Sequence, residues 1–199
     1  VLKWIIHGKK TRFYSAFRIS DIAIDQDENI YFVGAANSPI IKSNDGKEIY
    51  TGLGASCMVK LDSNGVYQWN TRSGTYTNLI ELDDSGNIYM AGTTGSSSVP
   101  TTFYSRSGST LLMSSPYSSA GYIAKMDSSG EMKWATSFSS CSSTSCFGDM
   151  AVNGKGEVFI TATNSGNTSY KSVNGATNQV NSPRLFGSNI LLIKYSPQG

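Results

Sequence analysis

Three tryptophans recur at one fixed spacing along this chain of 199 residues. Trp4, Trp69 and Trp134 lie 65 positions apart, from 4 to 69 and again from 69 to 134. A fixed period of this size is typical of proteins built from repeated supersecondary units, each of which buries its apolar face against the next. We therefore treat residues 1–199 as a single domain made of three repeat units. Their bounds are approximately 5–69, 70–134 and 135–199.

Two kinds of segment repeat together with the tryptophans. A ten-residue segment ends at the second and third tryptophans, and it reads KLDSNGVYQW at 60–69 and KMDSSGEMKW at 125–134. A longer segment lies upstream of Lys60, Lys125 and Lys194, and its three copies align without gaps. Its three copies read DIAIDQDENIYFVGAA at 21–36, LIELDDSGNIYMAGTT at 79–94 and DMAVNGKGEVFITATN at 149–164.

Each unit contains four strand candidates, named A, B, C and D in chain order. In the first unit they centre near 22–25, 30–35, 57–62 and 66–71. Tight turns of Asp, Ser, Gly and Asn join A to B and C to D, and no helical period is present. The pattern predicts an all-β chain of four-stranded antiparallel β-propeller blades. The chain holds one D strand, two complete A–D sets and a final A–B–C, about three blades' worth.

The tryptophan of strand D is predicted to be structural. One large aromatic residue per blade suits packing between neighbouring blades, so the three tryptophans are expected in equivalent, largely buried positions. The alternative is an exposed aromatic residue that binds a ligand. The strand C lysines (Lys60, Lys125 and Lys194) are expected to run along the sheet and to hold their ammonium groups at a rim.

The segments DIAID…NIYFVGAA and GYIAKMDSSGEMKW resemble the bacterial SBBP-type β-propeller repeat. In that repeat a GNIYV-G-T element precedes an AFVAKLDxxG hairpin that ends in tryptophan. The resemblance covers all three units, and NHL repeats and quinoprotein-like blades share parts of it. The third unit departs most, with NGKG at 153–156 and SPQ at 196–198. The resemblance implies a propeller, often bacterial and exported, that acts as a binding or scaffolding surface without a shared catalytic motif.

Composition and blade number limit the partners. Three blades are fewer than the four to eight of an ordinary propeller, so either the remaining blades of a longer parent chain or further copies of this chain complete the ring. A net charge of +2 is too small to predict nucleic acid as the main partner. The sequence contains no run of eighteen apolar residues, so membrane insertion is not expected. Only 15% of the residues are charged, a composition common in secreted or cell-surface β proteins.

Long connections indicate where a partner binds. The B–C connections at 36–56, 95–120 and 165–188 share one end of an up-and-down blade, opposite the turns at 62–65 and 127–130. Tyrosines set among small polar residues are typical of adaptable binding loops. The alternative is that these aromatic residues pin the loops onto the blades. The candidate binding residues, with a basic segment on the first D–A connection, are Lys9, Lys10, Arg12, Tyr50, Phe103, Tyr104, Arg106, Tyr117, Tyr170, Lys171 and Arg184.

Other motifs are weaker. Cys141 and Cys146 bracket a short Ser/Thr-rich loop and are expected to form a disulfide, with Cys57 free. Asp25, Asp27 and Asn29 have the alternate spacing that opens a calcium loop, but the other units do not repeat a ligand set. We therefore predict no metal site.

The sequence favours a non-enzymatic binding or scaffolding module for protein partners that uses its loop face. No nucleophile–base motif, phosphate loop or carboxylate pair predicts a catalytic residue, and no cofactor is expected. Two alternatives stay open. One is a glycan-binding, lectin-like propeller, and the other is a fragment of a quinoprotein-like, cofactor-dependent enzyme, suggested by the tryptophan hairpins.

Overall fold

A computed structural model shows an all-β chain, as the repeat pattern predicts. It describes residues 3–5, 7–9, 18–37, 40–95, 100–115, 120–139, 147–164, 168–180 and 189–199. These residues form eighteen strands, and none of them lies in a helix. The described ranges accordingly contain no helix long and apolar enough to cross a membrane.

The strands are short, with lengths of three to nine residues. Their bounds, in chain order, are β1 (His7–Lys9), β2 (Arg18–Ile24), β3 (Ile30–Asn37), β4 (Ile40–Lys42), β5 (Glu48–Tyr50), β6 (Leu53–Leu61), β7 (Tyr67–Ser73), β8 (Tyr76–Leu82), β9 (Ile88–Thr93), β10 (Thr101–Tyr104), β11 (Thr110–Met113), β12 (Gly121–Met126), β13 (Met132–Phe138), β14 (Phe147–Val152), β15 (Val158–Asn164), β16 (Thr168–Lys171), β17 (Thr177–Val180) and β18 (Asn189–Tyr195).

The strands form four antiparallel sheets that follow the repeat units. The first blade contains β2-β3-β6-β7, which are strands A to D of the first unit, and the second blade contains β8-β9-β12-β13. The third blade, β14-β15-β18, has strands A to C, and the lone D strand is β1. The A strands lie side by side, β2 against β8 and β8 against β14. This strand order is that of β-propeller blades.

The first and second blades contain the four predicted strands A to D, but the B–C connections, which were expected as long loops, add further strands. Each connection folds into a β-hairpin that pairs with the D strand of the preceding sheet: β4-β5 on β1, β10-β11 on β7, and β16-β17 on β13. The first and second blades are therefore six-stranded sheets, β11-β10-β7-β6-β3-β2 and β17-β16-β13-β12-β9-β8. The hairpin forms because strand D is otherwise an edge with a row of unpaired backbone groups.

The two ends of the blades differ in their connections. We call the end with the A–B and C–D turns the turn end, and the opposite end the loop end. Each hairpin starts at the loop end and runs antiparallel to strand D, so its tip reaches the turn end. The tip of β4-β5 shows this, since the backbone N–H of Asn44 donates to the Gly65 carbonyl at 3.0 Å.

The apolar core lies between successive sheets. Between the first and second blades it includes Tyr31, Met58 and Ile80, and between the second and third blades it includes Ile123 and Met150. Strand β9, in the middle of the stack, is buried at every position. Burial on both faces explains why strand B shows a continuous apolar run instead of an alternating one.

Each tryptophan packs on the C–D turn of the following sheet. A Cβ atom added at Gly65 would lie 3.1 Å from the Trp4 ring, and one at Gly199 would lie 3.1 Å from the Trp134 ring. Both glycines have positive φ, 76° and 94°, which the tight turn requires. The indole N–H groups of Trp4 and Trp134 donate to the carbonyls of Ser63 and Pro197, two positions before these glycines, at 3.3 and 3.1 Å. The indole therefore locks one sheet to the next.

Candidate functional site

The hairpins redistribute the binding residues predicted from the sequence. Phe103 was expected on a binding surface, and this expectation is wrong. Its side chain is 1% exposed, belongs to the core between the first and second blades, and packs edge-on against Tyr122 at 5.1 Å between ring centroids. Phe103 is buried because β10 pairs with strand D, as shown by its register opposite Ser73. It anchors the hairpin to the sheet.

Arg106 was expected at the loop end, but the structure places it at the turn end. Its backbone N–H donates to the Gly130 carbonyl at 2.8 Å, within the C–D turn of its own unit. Glu131, in the same turn, accepts the Ser107 N–H at 2.9 Å. The connections therefore leave the loop end together, but their tips do not stay there.

The other predicted binding residues do not converge on one site. Tyr50 ends β5 at the loop end and is exposed. Tyr104 is half-buried beneath the Arg72 guanidinium at 4.4 Å, and Tyr170 packs against Phe138 at 6.1 Å. Lys171 is half-buried on β16. For the side chains of Lys9, Lys10, Arg12, Tyr117 and Arg184, and for the Cys141–Cys146 pair, the predictions lie outside the described residues.

A cleft at the loop end is the best candidate for a binding site. It has a volume of about 400 Å³ and lies where β2 of the first blade meets β8 of the second. Equivalent positions of the two A strands form its walls, because residues 18–20 of the first unit correspond to residues 76–78 of the second. The lining residues are Arg18, Ile19, Ser20, Ala35, Ser56, Tyr76, Thr77 and Asn78.

β-Bulges shape this cleft. The register of β2 against β3 shifts between Ile19 and Asp21, and that of β8 against β9 shifts between Thr77 and Leu79. Ser20 and Asn78 are therefore the extra residues, and both line the cleft. Bulges re-aim side chains and are frequent next to functional sites.

Part of the cleft wall is fixed by hydrogen bonds, whereas one polar atom is not satisfied. The Thr77 backbone N–H donates to the Ser56 hydroxyl at 2.8 Å, and the Thr77 hydroxyl lies 2.7 Å from the Tyr122 hydroxyl. The Asn78 Oδ1 atom is buried and has no hydrogen-bond partner within the described residues. Buried polar atoms are nearly always paired, so this unpaired oxygen is an unusual feature of a residue that lines the cleft.

Carboxylates follow the A strands away from the cleft. An Asp21 oxygen accepts the Ile80 N–H at 2.9 Å and so ties the first blade to the second. Burial raises the pKa of Glu81, and the negative charges of Asp21 and Asp149 raise it further. The cleft is therefore bordered by an Arg18 cation on one side and by acidic groups deeper along the strands.

The sequence contained a signal for this cleft. Gly34 and Gly92 interrupt the apolar B strands, and a glycine inside a strand indicates a bulge or a close backbone approach. A Cβ atom at Gly34 would collide with the Arg18 carbonyl oxygen, and one at Gly92 would collide with that of Tyr76. The two glycines therefore mark the backbone positions opposite the cleft residues.

A second cleft, of about 330 Å³, lies at the turn end and includes the turn that resembles the start of a calcium loop. Here the Asp25 carboxylate accepts the N–H groups of Asp27 and Asn29 at 3.0 and 2.9 Å, and also the Tyr31 hydroxyl at 3.1 Å. Burial opposes its ionisation, but the hydrogen bonds from Asn29 and Tyr31 lower the pKa of Asp25 overall. The alternate spacing of polar residues thus serves the turn itself. The described residues contain no cluster of metal-ligating side chains.

Comparisons with known proteins give structural neighbours only. No family model matches the chain, and no curated protein matches its sequence. A protein of unknown function from Bacteroides caccae is 12% identical with a TM-score of 0.39, over 83% of this chain and 46% of that one. The chain thus spans about half the length of that protein.

Two lyases are also similar in structure. Virginiamycin B lyase from Staphylococcus aureus is 10% identical with a TM-score of 0.33, over 96% of this chain and 88% of that one. A streptogramin B lyase is 10% identical with a TM-score of 0.30, over 89% and 74% of the two chains. Likeness at this level transfers neither an activity nor a blade number to this chain.

Proposed function

We propose that this chain is a non-enzymatic β-propeller module that binds a protein partner through the loop-end cleft. The observation that carries this proposal is the buried, unpaired Oδ1 atom of Asn78 in a cleft built from two β-bulges. An unsatisfied acceptor is costly in the free protein, and a partner's N–H group in the cleft would satisfy it once the Asn78 side chain turns toward the opening. The site differs from the long-loop surface expected from the sequence, but it lies at the same end of the blades.

The chemistry of the cleft favours a peptide segment. Arg18 offers a guanidinium that pairs with a carboxylate, and Tyr76 offers a partly exposed ring that provides contact area at low conformational cost. The Asn78 oxygen accepts a backbone or side-chain N–H. We therefore expect a peptide with a carboxylate a few residues from its recognised backbone segment.

A glycan-binding propeller is the second candidate. Exposed tyrosine beside Ser20 and Asn78 also suits a sugar, because a ring face packs on the aromatic residue while hydroxyl groups bond to the polar side chains. A sugar hydroxyl would then take the place of the peptide N–H as the hydrogen-bond donor. The two candidates differ in their dependence on Arg18, which a neutral glycan does not require.

The SBBP-type resemblance and an exported, cell-surface location belong to the same proposal. Both rest on the repeated strand B and strand C segments and on a surface that relies on Ser, Thr, Asn and Tyr more than on charge. The quinoprotein-like enzyme finds no specific observation in its favour in the described residues, whose tryptophans pack on turn glycines.

A displayed random-peptide library and a glycan array, both probed with the purified chain, test this proposal. We expect enriched acidic peptides whose binding falls about tenfold or more in Arg18→Ala and Asn78→Ala, since a charge-assisted hydrogen bond contributes about 1.5–3 kcal/mol. The matched control is Arg72→Ala, an arginine that packs over Tyr104 outside the cleft opening. Enrichment on the glycan array alone, insensitive to Arg18→Ala, would replace the peptide partner by a glycan.

A further inference from the structure

The two interfaces between complete blades show what each face of a blade needs to contact. Strand C residues Met58 and Ile123 occupy equivalent positions and are buried against the next blade. Alignment on the strand C lysines places Leu192 at this position in the third blade, where it is 73% exposed. Ile190, two positions before it on the same face of β18, is 84% exposed. We call this surface, defined by Ile190 and Leu192, the C-face.

The opposite surface of the stack, on the first blade, exposes the complementary apolar residues. Strand A residues Ile80 and Met150 are buried against the preceding blade. The equivalent residue of the first blade is Ile22, which is 58% exposed, and Ile24 on the same strand face is also exposed. We call this surface, defined by Ile22 and Ile24, the N-face. The C-face and the N-face are therefore the two halves of an interface that the chain already forms twice.

The strand edges match in the same way. The sheets β14-β15-β18 and β1-β4-β5 each contain three strands, and together they have the strand content of a complete six-stranded sheet. Strand β18 pairs with β15 alone and β1 pairs with β4 alone in the described residues. In the complete sheets strand C pairs with strand D, with Lys60 opposite Trp69 and Lys125 opposite Trp134. The free edges of β18 and β1 are the corresponding C and D edges.

A packed group of three side chains, a lysine, an aromatic residue and a tryptophan, is complete in the first and second blades and is divided between these two edges. In the second blade the Lys125 ammonium lies 4.9 Å from the Tyr89 ring centroid, and the Trp134 ring lies 6.4 Å from the same ring. The first blade repeats the arrangement at 4.8 and 6.1 Å. The third blade has the aromatic residue and the lysine, with Lys194 5.3 Å from Phe159, and no tryptophan lies beside them among the described residues. Trp4 has the opposite situation, since the described sheet β1-β4-β5 contains neither a strand B nor a strand C.

We propose that two copies of this chain close one ring, with β18 of each copy paired to β1 of the other. The register of the complete blades sets Lys194 of one copy opposite Trp4 of the second copy. Each copy supplies two complete sheets and two halves, so the ring has six blades, within the usual four to eight. The C-face of each copy then covers the N-face of the other.

A second copy is the occupant that fits both surfaces at once. It offers an apolar N-face for the C-face and a free D edge for the free C edge, so backbone pairing and side-chain burial form together. The contact is head-to-tail and closes after two copies, which gives a twofold ring. A net charge of +2 per chain opposes this association only weakly.

Sedimentation equilibrium or light scattering on the purified chain tests the ring. We expect twice the chain mass of 21.4 kDa. Leu192→Glu places a charge in the C-face and should weaken the dimer about 100-fold or more, because a buried unpaired charge is strongly unfavourable. The matched control is Leu112→Glu, a leucine 65% exposed on the outer strand β11 of a complete sheet, which should leave the dimer unchanged.

A mixing experiment distinguishes head-to-tail pairing from other contacts and does not depend on one variant. Ile22→Glu alone should also be monomeric. An equimolar mixture of Leu192→Glu and Ile22→Glu retains one intact C-face and one intact N-face, so we expect a heterodimer with one working interface. Far-UV circular dichroism of each variant shows whether the sheets persist. A mixture that stays monomeric while both variants are folded overturns the head-to-tail arrangement.

A tandem fusion provides the second measurement. Residue 199 joined to residue 1 without a linker reads SPQGVLKW, with the same four-position step from glycine to tryptophan as Gly65 to Trp69. We expect the fusion to be monomeric and to unfold at a temperature independent of concentration, unlike the dimer. A monomeric wild-type chain, or an open series of larger oligomers, overturns the proposal. A monomer would instead assign the two faces to other blades of the same repeat type.

Discussion

The turn end and the loop end of the blades differ in how far equivalent residues of the repeat make the same contacts. At the turn end Asp25 and Asp83 make the same hydrogen bonds, each accepting two backbone N–H groups and a tyrosine hydroxyl. At the loop end the equivalent residues diverge, with Arg18 in place of Tyr76 across the cleft. The difference indicates that the turn end holds the fold constant while the loop end varies its chemistry.

The hairpins connect the two ends, and their removal is expected to have the largest effect. Replacement of 95–120 by a short Gly/Ser turn removes Phe103 and Met113 from the core and exposes the edge of β7. We expect loss of cooperative unfolding of the chain, measured by circular dichroism during thermal denaturation. A cooperative transition near that of the wild type would show that the hairpin does not carry core packing.

The tryptophan contact at the turn end is expected to have the next largest effect. Trp69→Ala should lower the free energy of unfolding by about 3–5 kcal/mol, the range for a buried large aromatic residue. Trp69 is buried and packs edge-on against Tyr31. Urea denaturation measures the loss. Trp4→Ala is the control at a half-buried equivalent position, and a loss as large as that of Trp69→Ala would contradict the dependence on burial.

The contrast between the two ends is tested directly by a pair of polar substitutions. Asp83→Ala should lower the free energy of unfolding by about 1–3 kcal/mol, because the N–H groups of Ser85 and Asn87 and the Tyr89 hydroxyl lose their acceptor. Asn78→Ala should change it by about 0.5 kcal/mol or less, since its Oδ1 atom has no partner in the described residues to lose. Urea denaturation of both variants gives the comparison. Equal losses would mean that Asn78 supports the fold and not a ligand.

The smallest expected effect is a pH dependence at Glu81. Burial and the charges of Asp21 and Asp149 raise its pKa above the ordinary value of 4.5. The stability from the protonated form is complete below the unfolded pKa and is lost as pH rises through the folded pKa. Glu81→Gln stays neutral, so its melting temperature relative to the wild type should rise between pH 4.5 and 7. A difference that does not change over this interval would contradict the raised pKa.

Much of the architecture was predictable from the sequence because it depends on local rules. The 65-residue period, the Asp-rich turns and the position of the tryptophans each follow from short segments that every unit repeats. The pairs β2-β3 and β6-β7 follow from the tight A–B and C–D turns, and the antiparallel blade then places β6 beside β3. Tryptophan packing on Gly65 and Gly199 was also foreseeable as a contact between blades, although its glycine partner was not.

The candidate site was not predictable in the same way, for two physical reasons. The sequence of 95–120 alternates weakly and contains Gly, Ser and Pro, so the pairing of β10 with β7 depends on a distant strand edge and not on local propensity. Tyrosines in these segments therefore suggested a surface, although Phe103 is core. The bulge at Asn78 had a local sign in Gly92, but a single glycine does not reveal which side chain it re-aims.

Because each hairpin pairs with the preceding blade, a blade is completed only after the next unit of the chain has been synthesised. The D strand β7 of the first blade receives its outer partner from β10, which belongs to the next unit along the chain. As the chain leaves the ribosome, a newly made blade therefore keeps an open edge until the following unit has been synthesised. Such edges pair readily with other chains. The interval between successive repeats is thus the period in which each nascent blade is most exposed to aggregation, and it ends when the next hairpin docks.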